Sequence, residues 1–191
     1  MGSIVGLMGR KRSGKDTVAR VVFADYTRRA FADELKAEVE RAHLHTPLPS
    51  RKTLRDHLMK TGWEGAKDDP LDGMVIRSLL QDCGMAKREI DSDYWLRPVF
   101  NPPLPDLLVI TDVRMPSEIE AIRDRGGVLV RVENTSLGHE TDPTDAHITE
   151  QAWRNTEPDF VLVNPGNIPG LLHEGAILRS LMNKNSECGS V

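Results

Sequence analysis

Short apolar runs alternate along this chain with segments whose apolar residues recur every three or four positions. Ile4-Val5-Gly6-Leu7-Met8 is a continuous run and reads as a short buried strand. A Gly/Ser/Lys-rich turn, Gly9 to Lys15, follows it. Thr17 to Arg29 has helical spacing, with Val18, Val21, Val22, Asp25 and Tyr26 on one face. Ala30-Phe31-Ala32 fits a brief second strand, and Asp33 to His43 a helix with Asp33 as its N-cap and Leu35 and Val39 facing in. Residues 44–73 are poor in apolar positions and rich in Pro and Gly; Arg51 to Lys60 can form one helix, and the rest reads as loop. Met74 to Cys83 is apolar-periodic and meets a stop at Gly84, and Ser92 to Phe100 is a further short helix.

The second half is more regular. Leu107-Leu108-Val109-Ile110-Thr111 is the clearest strand, followed by a helix from Pro116 to Arg125. Gly126-Gly127 turns the chain into a strand from Val128 to Val132. A polar Thr/Asp-rich loop spans 134–146, Phe160 to Val163 is the last strand, and a helix runs from Ile168 to about Met182. Residues 184–191 read as a flexible tail. Strands alternating with helices predict an α/β fold with a parallel sheet of about five strands and helices on both faces. Functional groups are then expected at the carboxyl ends of the strands.

Composition narrows the class. With 191 residues the chain is long enough for one domain, burying roughly 70% of its unfolded surface. A net charge of −4 argues against stable nucleic-acid binding or attachment to a membrane surface, since both need a dominant basic field. Two cysteines, Cys83 and Cys188, do not make a disulfide scaffold or a Cys-based zinc site. No apolar run approaches the roughly 20 residues of a membrane span, and a cytoplasmic location is expected. The charge is uneven, however. Residues 1–70 hold 14 basic and 10 acidic side chains, a net +4, and the remainder is net −8.

The basic excess gathers at one motif. Gly9-Arg10-Lys11-Arg12-Ser13-Gly14-Lys15 fits G-x-x-x-x-G-K, with Asp16-Thr17 where Ser or Thr commonly follows. Glycines let the backbone turn tightly enough for successive N–H groups to point at one phosphate. A helix starting at Gly14 adds its positive end, and Lys15 adds a point charge. A strand before and a helix after are the context this reading requires. A basic turn before a surface helix is the competing one. Asp16 is a Mg²⁺-organising carboxylate in the first reading and a helix-dipole partner in the second.

A second motif closes the strongest strand. Leu107 to Thr111 leads into Asp112, a Walker-B-like carboxylate that would lie beside the phosphate loop if the two strands are neighbours. Arg114 projects over the same crevice, and Asp112 also suits an N-cap for the helix beyond Pro116.

On these residues the chain resembles the phage-type deoxynucleoside monophosphate kinases, within the P-loop nucleoside monophosphate kinase fold. The resemblance runs from about residue 4 to residue 172. It rests on Gly9 to Thr17, Phe31 to Lys36, Arg77 to Gly84 with Asp93-Tyr94-Trp95, Ile110 to Arg114, and Asp145-Ala-His147-Ile-Thr-Glu150. Lys-Asp at the phosphate loop is a feature of that family, whereas residues 44–73 match it poorly. The resemblance implies a three-layer sandwich with a short lid, and transfer of the ATP γ-phosphoryl group to a dNMP with Mg²⁺.

Site roles follow as expectations. Gly9 to Thr17 bind the donor phosphates, with Lys15 and Arg12 neutralising transferring charge and Asp16 and Asp112 organising Mg²⁺. Arg77 and Arg114 suit an acceptor phosphate, because a planar guanidinium binds one bidentately. Lys36, Asp33 and Gln81 are further acceptor-side candidates, and Tyr94 and Trp95 either wall the base pocket or pack in the core. Arg131, His147 and Glu150 belong to the expected lid, and Asn164 and Gly166 are expected near adenine.

The expected organisation is one domain over 1–183. Its core is 1–43 and 104–183, its acceptor-binding insert is 44–103, and its lid is 134–150. A homodimer is compatible with it. Phosphomevalonate, shikimate and dephospho-coenzyme A kinases share the phosphate loop and the strand-end Asp, and stand as the alternative within enzymes. A nucleotide-dependent switch is the alternative outside them. A guanine-reading Asn-Lys-x-Asp would mark it, yet the chain's Asn-Lys, Asn183-Lys184, lacks the Asp.

Overall fold

A computed structural model describes residues 3–137 and 153–188, with side chains to residue 184. The chain divides into two units, Met1–Ala30 with Asn101–Val191, and Phe31–Phe100. The expected insert began at residue 44. The division falls earlier because the helix over Phe31–His43 packs with the helices that follow it.

The first unit is built on five parallel strands: β1 (Ser3–Met8), β2 (Thr27–Arg29), β3 (Leu107–Ile110), β4 (Val128–Asn134) and β5 (Phe160–Asn164). Their order is β2-β3-β1-β4-β5, so β1 is central, and Ile4 pairs with Leu108 while Leu7 pairs with Val130. Helices α1 (Lys15–Val21) and α7 (Ile168–Cys188) cover one face, where Val5, Leu7, Val18, Leu171 and Leu178 form a buried cluster. Helix α6 (Pro116–Arg123) covers the other, packing on β1 and β4, with Ile122 against Gly6. The alternation of Val5 and Leu7 against Gly6 across β1 is the two-residue period of a strand with both faces buried. The three-layer α/β architecture expected from the sequence is present.

Several element bounds differ from expectation. Helix α1 ends at Val21 rather than reaching Arg29, and β2 is Thr27–Arg29 rather than residues 30–32. The intervening turn is fixed by Phe23, whose ring meets Tyr26 edge-on at 5.1 Å, and by Asp25, which pairs with Arg179 at 2.5 and 2.7 Å. Helix α7 continues past Met182 to Cys188, into the stretch expected to be a tail.

The second unit is helical: α2 (Phe31–His43), α3 (Leu54–Lys67), α4 (Gly73–Ile90) and α5 (Leu96–Phe100). Val39, Leu48, Leu54, Ala66 and Ile76 form its core, joined by Leu35, Leu58 and Trp63. The helix expected over Arg51 to Lys60 is α3, which starts at Leu54 and runs on to Lys67; the rest of 44–73 before Gly73 is turn and loop, and the apolar residues of the segment pack with those of α2 and α4. Thr53 caps α3, accepting from Asp56 N–H while Asp56 accepts from Thr53 N–H at 2.8 Å. A break at Gly62 (φ 63, ψ −174) redirects the helix. Gly84 does not stop α4; it lies inside the helix, where the missing Cβ admits Leu35 and its carbonyl accepts from Trp95 Nε1 at 3.0 Å. Asp33 falls in the first turn of α2, which begins at Phe31, and so is not its N-cap.

Candidate active site

The phosphate loop joins β1 to α1. Gly14 sits at the helix entry with φ 97, a left-handed conformation that a side chain resists. A Cβ there would lie 2.4 Å from Asn164 Nδ2, so both geometry and space demand glycine. Gly9 at the other end has φ 142, and Arg12 between them also takes a positive φ of 65. Ser13 N–H closes a turn on the Arg10 carbonyl at 3.1 Å. Lys15 is buried, with Nζ 2.7 Å from the Gly9 carbonyl and 2.9 Å from that of Arg10. Its ammonium is thus folded across the loop between the two carbonyls.

Asn164, at the end of β5, reaches this loop from two strands away. Its Nδ2 donates to the Ser13 carbonyl at 2.9 Å, and its Oδ1 accepts from Gly166 N–H at 3.0 Å. Asn164 and Gly166 were expected near adenine; in the structure this one amide links both to the phosphate loop.

Asp112 and Arg114 follow β3, which pairs with β1, the condition the Walker-B-like reading required. The turn is hung on β1 by Val113 N–H to the Leu7 carbonyl at 3.2 Å. Glu118, in the first turn of α6 and 3% exposed, accepts from Arg114 N–H at 2.8 Å and Met115 N–H at 3.0 Å through one oxygen, Oε2. The sequence reading missed Glu118. Its signal was the three-residue spacing to Met115, which resembles a capping box without the Ser or Thr that draws attention to one.

Asp16, offered as a Mg²⁺ carboxylate, is exposed and pairs with Arg28 of β2 at 3.6 Å. With Arg20, Phe23, Tyr26 and Arg28 it lines a cleft of about 480 Å³ beside α1. Arg131, expected in the lid, instead donates to the Thr156 carbonyl at 2.7 Å from within β4. His147 and Glu150 lie outside the described residues.

In the helical unit the acceptor-side candidates have internal partners. Arg77 donates through Nε to the Lys67 carbonyl at 3.0 Å and through Nη2 to Asp68 at 2.6 Å, clasping the turn between α3 and α4. Lys36 lies 3.7 Å from Glu64. Tyr94 hydrogen-bonds Glu38 and takes a contact from Lys87 at 3.3 Å. Trp95 is 2% exposed and bonded to Gly84, which gives it the packing role among the two weighed for it. Gln81 lies on α4, exposed.

Among the described residues one histidine-carboxylate cluster stands out, in this same unit. His57 Nε2 lies 2.6 Å from Asp72, and its Nδ1 lies 3.8 Å from Asp69. Asp72 is fully buried and also accepts from the Ser50 N–H at 2.9 Å and the Ser50 hydroxyl. Burial pushes the Asp72 carboxyl up, but the hydrogen bonds from Ser50 and His57 outweigh it and hold it below the ordinary carboxylate range. The group ties the Ser50 turn and α3 to the start of α4.

Comparison with known proteins adds the family. A protein of Acanthamoeba polyphaga mimivirus, provisionally named a deoxynucleotide monophosphate kinase, is 26% identical over 178 residues, covering 84% of this chain and 88% of that protein. Similar solved structures include a gluconokinase from Sinorhizobium meliloti 1021 (TM-score 0.48, 14% identity, 100% of this chain and 98% of that one). A dephospho-CoA kinase from Campylobacter jejuni has a TM-score of 0.46 at 12% identity, covering 97% of this chain and 100% of that one. No helix among the described residues is long and apolar enough to cross a membrane. The model of the deoxynucleotide monophosphate kinase family matches residues 51–174, well over half of the sequence, and the chain belongs to that family.

Proposed function

We propose that this kinase transfers the γ-phosphoryl group of ATP to the phosphate of a deoxynucleoside monophosphate, giving ADP and the deoxynucleoside diphosphate, with Mg²⁺. The observation that carries the reading is the phosphate loop: a left-handed Gly14 at the mouth of α1, a buried Lys15 laid across the loop, and a carboxylate-bearing turn on the neighbouring strand. Phosphoryl transfer needs little covalent help from a protein. It needs two phosphates held in line and the charge between them neutralised.

Each residue then has one task. Backbone N–H groups of Gly9 to Thr17 hold the donor phosphates, with Arg10, Lys11 and Arg12 adding positive potential. Lys15 exchanges its carbonyl partners for phosphate oxygens and follows the charge as it moves. The hard carboxylate oxygens of Asp112 and Asp16 suit Mg²⁺, Asp16 after release from Arg28. When bound, the metal neutralises charge on the donor phosphates. Arg114 binds the acceptor phosphate, whose oxygen is itself the nucleophile, so no general base is required.

The test is a coupled ADP assay with ATP, Mg²⁺ and a panel of deoxy- and ribonucleoside monophosphates. ADP formation with at least one deoxynucleotide is expected. No ADP with any monophosphate would remove the reading.

A further inference from the structure

The turn that carries Asp112 and Arg114 lies between the end of β3 and the start of α6, outside both. It is held from two sides. Val113 N–H reaches the end of β1, and Glu118 takes the next two backbone N–H groups, Arg114 and Met115, onto a single carboxylate oxygen. A carboxylate that is 3% exposed is costly to keep in a protein unless it is hydrogen-bonded, and charged acceptors make stronger bonds than neutral ones. Both of these bonds go to the peptide groups that set the direction of the Arg114 side chain.

Ordinary helix capping explains only part of this. The Met115 N–H lies at the helix entry, where a Glu three residues on commonly reciprocates. The Arg114 N–H lies one residue further out, beyond the helix. Holding it fixes the peptide between Val113 and Arg114, and with it the link to Asp112.

We infer that Glu118 is a positioning residue for phosphoryl transfer: its carboxylate clasps the Asp112–Met115 turn and thereby aims Arg114 at the acceptor phosphate. The inference rests on the reading of Arg114 as the acceptor-phosphate ligand, and the experiment separates the two. A displacement of about 1 Å in a substrate-positioning group is enough to cost a large factor in rate. Loss of the clasp therefore registers on the acceptor side while the phosphate loop, held by Asn164 and its own turn, keeps its hold on ATP.

Glu118→Ala, Glu118→Gln and Arg114→Ala are compared in the full chain by steady-state kinetics in both substrates, by calorimetric titration with dNMP alone, and by thermal unfolding. Glu118→Ala is expected to raise the dNMP KM at least about tenfold and weaken dNMP binding in proportion, leaving the ATP KM within about twofold. Glu118→Gln retains an oxygen that can accept both N–H groups and should recover most of the loss. Should the alanine variant not fold, Glu118→Asp, with its carboxylate withdrawn by one methylene, carries the same expectation. A folded Glu118→Ala or Glu118→Asp variant with wild-type dNMP KM and binding overturns the inference, as does an equal rise in both substrates' KM. If Arg114→Ala leaves the dNMP KM unchanged while Glu118→Ala raises it, the Arg114 assignment falls and the clasp stands, acting through Asp112.

Discussion

Asn164 holds Ser13. The side-chain amide at the end of β5 donates to a phosphate-loop carbonyl 151 residues earlier in the chain, while its own carbonyl keeps Gly166 N–H. Asn164 is nearly buried, so neither bond is readily replaced by water. Asn164→Ala should cost about 1–3 kcal/mol of stability, read by denaturant unfolding. It should also raise the ATP KM several-fold with little change in the dNMP KM, because the loop it steadies is the one proposed to hold the donor phosphates. An unchanged ATP KM in a destabilised variant would confine Asn164 to a structural role.

In the proposed mechanism Lys15 is the cation on which phosphoryl transfer depends most. Lys15→Ala is expected to lower kcat at least about a hundredfold, the scale seen when one preorganised charge partner is removed from a transition state. Far-UV circular dichroism should stay native. Retained turnover would remove Lys15 from the mechanism.

Arg77 separates binding from packing. Its guanidinium is committed to the Lys67 carbonyl and to Asp68, which close the α3–α4 turn. Arg77→Ala is expected to lower the unfolding midpoint by a few degrees, on the order of 1 kcal/mol, and to move the dNMP KM less than Arg114→Ala does. A tenfold rise in dNMP KM at an unchanged midpoint would return Arg77 to the acceptor site.

Acid should loosen the helical unit through Asp72. Its carboxyl is held below the ordinary value when folded, so the unfolded chain takes up the proton first as pH falls. The stability it contributes is complete above the unfolded pKa of about 3.9 and is lost as pH drops through the lower folded value. Unfolding midpoints measured from pH 6 to pH 3 should fall at the acid end. Asp72→Asn should be less stable than wild type at pH 6 and show a shallower acid slope. Parallel slopes in the two proteins would exclude Asp72 as the source.

Much of the phosphate-binding unit was legible in the sequence because its signals are local. A continuous apolar run, a glycine-framed turn and a strand-end Asp each occupy a few consecutive residues, and β3 lies beside β1 as the motif required. The helical unit was less legible for a physical reason. Its core draws Leu48, Leu54 and Ala66 from a segment whose apolar residues are thinly spaced, and Gly84 serves close packing where glycine commonly ends a helix. The bracing bonds were the least visible. Asn164 stood out for adenine and not for its bond to Ser13, and Glu118 and Asp72, which act on backbone or buried partners, did not stand out at all, though Glu118 sits at a spacing that a local pattern describes.

The strand order has a consequence for how the chain comes into being. β1 is made first, yet both strands that flank it, β3 and β4, begin at residues 107 and 128. During synthesis the run Ile4 to Met8 leaves the ribosome with no partner on either side for about a hundred residues. Contacts among α2, α3 and α4 span shorter stretches and close sooner. The residues that frame the phosphate loop therefore wait longest for their neighbours, and nascent chains halted before β3 would expose a strand that the folded protein buries from Ile4 to Met8.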